Sequence, residues 1–259
     1  MNKIKMQKTR WKAGNMIYPL PAEMVSCGNE TEANIVTVAW TGTICTNPPM
    51  TYISLRPSRY SYNLIKESGY FVINLTTESI VKETDFCGVK SGRDIDKFKE
   101  MNLTCIRDEE TNCPMIGESP VSIVCETVEI KELGSHHMFI ANVKAVYVDE
   151  SHMDEKGKFQ LNETGLIAYS HGSYLSIGEE LGTFGYSISK KKNQDVTKSK
   201  KVAVKKEADK SGSSNDKKIS SSKKKKGQQI ADGAAKHKIN KNVPKKSMKN
   251  KKHNKKTSK

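Results

Sequence analysis

The order of apolar and polar positions predicts a chain built mainly of β-strands. Residues 34–45 are rich in β-branched side chains in rough alternation with small or polar ones, as in a half-buried strand, and the Asn-Pro-Pro of residues 47–49 ends this run. Residues 51–56 follow as its predicted hairpin partner. Upstream, residues 25–28 read as a short strand that a glycine closes. The first part of the chain is therefore predicted to form an antiparallel sheet.

Short helices are predicted between later strands. Residues 58–69 have a helical apolar face, with Ser58 suited to cap the first turn and Gly69 suited to end the last. Residues 77–86 and 93–101 also show helical spacing of their apolar positions.

The remaining elements are predicted to be strands at residues 70–75, 103–107, 121–133 and 138–149, with a hairpin turn at residues 134–137. Six or more antiparallel strands without β-α-β alternation favour a closed or nearly closed barrel whose openings are covered by helices. The predicted fold class is mainly β.

Composition divides the chain into two parts. Residues 190–259 contain 26 lysines, five acidic residues and no aromatic residue, a net charge of +21, whereas residues 1–189 carry a net charge of −6. A segment so charged and so poor in apolar side chains cannot bury enough surface to offset its chain entropy. We therefore predict one folded domain over residues 1–189 and a disordered lysine-rich tail over residues 190–259.

Several classes of protein lack support in the sequence. No apolar run reaches the ~20 residues of a membrane-spanning helix, and residues 1–12 have no apolar signal-peptide core, so a soluble cytoplasmic protein is expected. The six cysteines show no zinc-site spacing, which predicts reduced thiols and no metal site. Dinucleotide-binding and P-loop glycine motifs and a nucleophile elbow are also missing from the sequence.

Three polar clusters lie at predicted strand ends, at residues 37–41, 54–61 and 74–76, and they are expected to line one pocket. Ser58 at a helix start, between Arg56 and Arg59, offers a phosphate backbone N–H groups, a hydroxyl and guanidinium groups. The alternative is that Ser58 only caps its helix and that both arginines are solvated. Trp40 likewise either stacks on a ligand ring or fills the core.

These segments together resemble the flavin reductase-like family, in its flavoredoxin branch. The resemblance covers about residues 16–188 and is carried, in the order of the family, by residues 34–45 (NIVTVAWTGTIC), 48–62, 71–75, 85–94, 118–121, 133–139 and 169–174. It implies a homodimer of six-stranded antiparallel split β-barrels, each binding one FMN, with NADH or NADPH as electron donor and a small-molecule flavin or a redox protein as acceptor.

The resemblance also implies roles for individual positions. The expected FMN contacts are Thr37, Val38, Ala39, Trp40, Thr41, Ser54, Arg56, Ser58, Arg59, Tyr60, Asn74, Thr76, Cys87, Lys90, Ser91 and Lys97. His136 and His171 stand where the family tends to have histidine and are candidates for a nicotinamide or flavin contact, with a structural role as the alternative. No catalytic acid or base is assigned, because the flavin carries the chemistry.

Three functions stay open at this point. The first is an NAD(P)H-dependent flavin reductase, and the second is a flavoredoxin-type FMN electron carrier with ferredoxin-like donors. The third is a polyanion-binding protein that acts through its basic tail, because a lysine run attracts nucleic acid or an anionic surface in a salt-dependent manner.

Overall fold

The computed structural model describes residues 7–189, which form a mainly antiparallel β fold with short helices. The strands are β1 (Glu23–Gly28), β2 (Ala33–Val38), β3 (Thr41–Thr46), β4 (Pro49–Leu55), β5 (Tyr70–Asn74), β6 (Cys105–Arg107), β7 (Pro114–Ile116), β8 (Val121–Leu133), β9 (His136–Val148), β10 (Ile167–Ser170) and β11 (Ser173–Ser176). The helices are α1 (Tyr60–Ser68), α2 (Val81–Val89) and α3 (Lys97–Glu100), with 3₁₀ turns at Glu78–Ile80, Glu150–His152 and Leu161–Glu163.

Seven strands form the main sheet in the order β2-β1-β5-β8-β9-β4-β3. The two outermost strands, β2 and β3, are consecutive in the chain and are separated only by Ala39 and Trp40. The Ser54 amide donates to the Trp40 carbonyl at 2.8 Å, which ties this connection to the end of β4. The first and last strands of the sheet therefore approach each other at a junction that we call the seam.

The prediction of one strand over residues 34–45 was wrong, and the main sheet has seven strands rather than six. The chain pairs with β1 up to Val38 and with β4 from Thr41 onward, so Ala39 and Trp40 mark a change of partner. Alternation of side chains continues through this point and conceals it in the sequence. The mainly β class and the hairpin of β3 with β4 are confirmed.

The helical predictions are confirmed in place but not in extent. Residues 93–101 contain only the short helix α3, which Asp96 caps by accepting from the Lys99 amide at 3.2 Å. The cap predicted at Ser58 was wrong, because α1 begins at Tyr60 with Arg59 as its N-cap residue. Gly69 ends α1 in the left-handed conformation (φ 78°), as predicted.

Two apolar clusters hold α1 and α2 on opposite sides of β1 and β2. Val25, Ile65 and Phe71 belong to the first cluster, whereas Met24 and Ile35 belong to the second, beneath α2 and α3. Because neighbouring residues of a strand face opposite sides, both faces of β1 are buried. This packing fixes β2 between the start of α1 and the loop that joins α2 to α3.

The remaining sequence predictions concern the cysteines, membrane-spanning helices and the tail. All six cysteines are free thiols. Within residues 7–189, the helices are all too short to span a membrane. One of two compact units of the chain ends at Tyr186. The predicted tail, residues 190–259, lies outside the described residues, so the domain boundary stays a prediction.

Candidate functional site

A cleft of about 360 Å³ opens between β2, the start of α1 and the α2–α3 loop. Its lining is almost entirely polar and carries five cationic side chains; we call it the basic cleft. The lining residues are Asn34, Val36, Arg56, Ser58, Arg59, Tyr60, Ser61, Lys90, Ser91, Gly92, Arg93 and Lys97. The phosphate-binding hypothesis for Arg56, Ser58 and Arg59 therefore rests on residues that the fold does bring together.

Lys97 forms the base of the basic cleft and is only 3% exposed. Its Nζ donates to the Ile35 carbonyl at 2.6 Å and to the Cys87 carbonyl at 2.8 Å. An ammonium group has three N–H donors, so one remains for a ligand in the cleft. Burial lowers the pKa of Lys97, and the Arg59 cation acts in the same direction. An anion bound here would supply the counter-charge that the protein itself leaves out.

The mouth of the basic cleft is shaped by contacts around Tyr60. The Tyr60 hydroxyl donates to Glu32, and this hydrogen bond raises the pKa of the phenol. The guanidinium carbon of Arg93 lies 5.6 Å from the centroid of the Tyr60 ring, and Arg93 Nη1 donates to the Ser58 carbonyl at 3.4 Å. Arg93 is thereby held across the mouth by the loop that begins α1.

A second cleft, of about 160 Å³, continues from the basic cleft along the seam. The two clefts share Arg56 and Arg59, and the second is lined in addition by Thr37, Val38, Ala39, Trp40, Ser54, Leu55 and His136. We call it the seam cleft. Most of the positions predicted to contact the flavin therefore lie along one continuous groove.

The backbone of β2 faces this groove. In a strand, the N–H and C=O of one residue point to the same side, and this side alternates from residue to residue. The Ile35 carbonyl accepts from Lys97 and so points away from β1. Thr37 shares that phase and directs its backbone groups to the edge of β2 that has no strand partner among residues 7–189. Thr37 and Ala39, which follows the end of β2, line both the seam cleft and a further cleft of about 270 Å³ beside Asp85, Gly88, Tyr169 and Tyr174.

His136 closes the other side of the seam cleft. Its ring centroid is 4.5 Å from that of Trp40, with 49° between the planes, and its Nδ1 is 2.9 Å from Ser135 Oγ. Burial, followed by the Arg56 and Arg59 cations, lowers the pKa of His136 and so favours the uncharged imidazole. Trp40 is half-buried and lines the groove, which supports the interpretation of its ring as a ligand contact rather than core.

Some predicted contacts lie away from the groove. Asn74 is fully buried, where its side chain bonds to Met24 and Ser26 and accepts from the Ile116 amide. Thr76 is also buried and donates to the Ala22 carbonyl at 2.8 Å. The expectation that this strand end lines the pocket is therefore not met, because both side chains hold strands together in the interior.

Three further candidates also occupy other positions. The Thr41 hydroxyl donates to the Tyr52 carbonyl at 2.6 Å, within the β3–β4 hairpin. The Cys87 thiol is buried, which raises its pKa to about 11, and only its carbonyl reaches Lys97. His171, in the turn between β10 and β11, packs on Tyr18 with 4.4 Å between ring centroids and lines none of the three clefts.

Gly92 gives the α2–α3 loop its close approach to β2. A Cβ atom at this position would overlap Asn34 Oδ1 and lie 3.0 Å from Tyr60 Cδ1. The Asn34 amide donates to Ser61 Oγ at 2.7 Å, so it cannot retreat without breaking that bond.

We expect Gly92→Ala to lower the free energy of unfolding by about 1 to 3 kcal/mol, as overpacking does. Urea unfolding followed by circular dichroism measures this change. Gly178→Ala is the matched control, because a Cβ at Gly178 meets open space. Equal stability of the two variants would show that the loop does not depend on this close approach.

The sequence matches the flavin reductase like domain family over residues 15–178. The chain belongs to this family. The match covers the seam, the basic cleft and the α2–α3 loop, and it confirms the resemblance found in the sequence.

Solved structures of flavoredoxins have the same fold. Flavoredoxin of Desulfovibrio vulgaris (Miyazaki F) is 30% identical, with a TM-score of 0.65 over 71% of this chain and 100% of its own. Flavoredoxin from Methanosarcina acetivorans is 26% identical, with a TM-score of 0.65 over the same shares. These matches confirm the split-barrel class.

A curated relative, an uncharacterized protein of Aeropyrum pernix, is 31% identical over 133 residues. The aligned part covers 51% of this chain and 51% of that relative, so the chain spans about half of its length.

Sequence reasoning missed Asn34, Arg93, Tyr169 and Tyr174 as cleft residues. Arg93 follows Ser91-Gly92 directly, and a cation beside a tight glycine turn was the available signal. The two tyrosines come from a distant hairpin, and only tertiary structure brings them to β2.

Proposed function

We propose that this protein binds FMN in the groove formed by the basic cleft and the seam cleft and transfers hydride from NADH or NADPH to the flavin. The observation that carries the proposal is the buried Lys97 ammonium, which forms no ion pair with a carboxylate of residues 7–189, at the base of a cleft that continues along the free edge of β2 in this described part of the chain. Membership of the flavin reductase like family and the fold shared with flavoredoxins support it.

The residues present fit a flavin mononucleotide from end to end. Arg59, Ser58 and Lys97 in the basic cleft suit its phosphate, because they combine guanidinium, hydroxyl and ammonium donors. The seam cleft, of about 160 Å³, extends the groove to Trp40, where a flat ring would have an aromatic neighbour. The flavin would supply the redox chemistry by accepting and donating hydride.

The protein's own part is to orient and to exclude water. The outward backbone groups of Thr37 would offer hydrogen bonds to the polar edge of a ring, and a strand edge holds them rigidly. Arg56 and Arg59 lie where the two clefts join and place positive charge beside the ring as well as the phosphate. His136, whose pKa is lowered by burial and by the Arg56 and Arg59 cations, would form a wall of the groove beside Trp40.

The second candidate is an FMN electron carrier that exchanges electrons with a redox protein and reacts slowly with nicotinamides. The flavoredoxins among the matched structures favour it, through their names and through identities of 30% and 26%. Both candidates use the same groove, so a reaction rather than a structure separates them.

We expect the purified protein, mixed with FMN, to retain the flavin through gel filtration and to show its visible absorption bands. For a reductase, anaerobic NADH or NADPH bleaches these bands within seconds, whereas dithionite alone bleaches them in a carrier. Protein that elutes without flavin would contradict both candidates. A variant that lacks residues 190–259 is the control, because the groove lies entirely within residues 7–189.

We also propose a homodimer. Trp11, Ile17, Leu181 and Phe184 are large apolar side chains that are 76% to 110% exposed in the single chain, near both ends of the described segment. Exposed apolar side chains of this size mark interaction surfaces. Sedimentation equilibrium of the same sample gives the mass, and a monomer at micromolar concentration would contradict this proposal.

For residues 190–259, which lie outside the described residues, we propose salt-dependent polyanion binding, because their net charge is +21. The deletion variant described above should lose retention on heparin while keeping its flavin. Retention unchanged by the deletion would exclude this role.

A further inference from the structure

The basic cleft holds more positive charge than one flavin phosphate neutralises. Its cationic side chains are Arg56, Arg59, Lys90, Arg93 and Lys97. The only ion pairs among residues 7–189 are His137 with Glu132 and Lys144 with Glu126, so none of the five is paired with a carboxylate of this range. A phosphate monoester carries about −1.5 to −2 at neutral pH. About three positive charges remain after it binds.

The five cations differ in position. Lys97 is buried at the base, and the Arg59 cation is near enough to lower its pKa. Arg56 and Arg59 are exposed and also line the seam cleft. Lys90 and Arg93, the outer pair, are exposed on the α2–α3 loop, with Ser91 and Gly92 between them, and line the basic cleft but not the seam cleft. A single phosphate bound at the base by Lys97 and Arg59 therefore leaves the outer pair for another anion.

Arg93 is held in place for such a role. Its guanidinium lies 5.6 Å from the Tyr60 ring centroid, and Nη1 donates to the Ser58 carbonyl at 3.4 Å. Its backbone amide donates to Ser91 Oγ at 3.2 Å, which stabilises the turn between the two cations. The remaining guanidinium N–H groups stay available, since a guanidinium has five.

No nearby carboxylate of residues 7–189 forms an ion pair with the outer pair. Glu32 accepts from the Tyr60 hydroxyl. Asp94 and Glu100 line an adjoining cleft of about 240 Å³ that shares Lys90 and Ser91 with the basic cleft. Neither carboxylate lies within ion-pair distance of the outer cations in the described part of the chain.

We propose that Lys90 and Arg93 bind a second phosphate group, beyond that of the flavin, and that this phosphate belongs to the dinucleotide electron donor. The inference rests on the proposed function and assigns the two outer cations to the donor rather than to the flavin. A donor must enter and leave at every turnover, and exposed cations at the mouth attract an anion quickly without holding it long. Lys97 and the two arginines shared with the seam cleft would thus serve a resident ligand, and the outer pair a transient one.

The test compares wild type, the double variant Lys90→Gln/Arg93→Gln and the control Lys82→Gln, whose lysine is exposed on α2 outside the clefts. FMN affinity is measured by fluorescence quenching. The FMN-loaded proteins are then titrated with NADP⁺ and with uncharged adenosine by calorimetry. We expect the double variant to bind NADP⁺ at least tenfold more weakly, with FMN affinity within threefold of wild type and the control unchanged.

Each of the other outcomes would overturn a specific part of this proposal. FMN affinity that falls tenfold or more in the double variant would assign both cations to the flavin's own phosphate. NADP⁺ affinity that stays unchanged would remove the donor from this loop. If instead FAD binds wild type more tightly than FMN and loses that advantage in the double variant, with NADP⁺ unaffected, the second phosphate belongs to a larger flavin. Wild type that fails to bind FMN would overturn the proposed function, and this inference with it.

Discussion

Lys97→Met should weaken FMN binding by about 10- to 100-fold, the equivalent of one charge-assisted hydrogen bond of ~1.5 to 3 kcal/mol. The substitution keeps the length of the side chain and removes the only buried cation of the basic cleft. The dissociation constant, measured by fluorescence quenching, gives the effect directly.

The stability of the ligand-free protein separates a binding role for Lys97 from a structural one. The substitution leaves the Ile35 and Cys87 carbonyls without their donor, which destabilises, but it also removes a buried unpaired charge, which stabilises. Because these effects oppose each other, we expect the free energy of unfolding to change by less than about 2 kcal/mol. Lys82→Met is the control for FMN binding. FMN affinity equal to that of this control would show that Lys97 serves the fold alone.

Glu23→Gln should stabilise the protein at pH 8 by roughly 2 to 5 kcal/mol and leave it nearly unchanged at pH 4.5. Glu23 is buried at the start of β1, and burial raises its pKa from 4.5 to about 8, against a smaller opposite effect of the hydrogen bond from the Thr76 amide. The folded state therefore keeps the proton between these pH values, whereas the unfolded state releases it. Stability contributed by the neutral carboxyl is complete below pH 4.5 and is lost as the pH rises to 8.

Glutamine keeps an acceptor for the Thr76 amide and cannot ionise, so the variant lacks this pH dependence. Urea unfolding at intervals between pH 4.5 and 8 measures the divergence of the two proteins. Glu67→Gln, an exposed change on α1, is the control. Parallel stability curves for wild type and Glu23→Gln would contradict a neutral carboxyl at this position.

The strands were predictable because their patterns are local. β8 and β9 are long alternating runs around Gly134 and Ser135, and the sequence predicts their hairpin to within two residues. The break at Ala39 and Trp40 was not predictable, because a strand that changes its partner keeps its alternation of side chains. Only the pairing with β1 on one side and β4 on the other reveals it.

In the candidate site, too, features that are local in the sequence were predictable and features that depend on the fold were not. Arg56, Ser58 and Arg59 are neighbours in sequence, and their cluster of donors was visible before the fold was known. Asn74 looked equally suitable as a polar residue at a strand end, but in the structure its amide joins β1, β7 and β8 in the interior. A sequence records which side chains can bind a ligand, whereas the choice between ligand and interior depends on the direction in which the strand is turned.

The seam has a mechanical consequence. Within the described residues, β2 and β3 are the outermost strands of the sheet, so no strand-pairing hydrogen bonds join β2 to β4 across the groove. A molecule that contacts β2 on one side of the groove and the start of α1 on the other would join the two sides where backbone hydrogen bonds do not. Since a ligand that binds the folded protein and not the unfolded chain stabilises the folded state, occupancy of the groove would stabilise the barrel at the place where β2 and β4 are not paired.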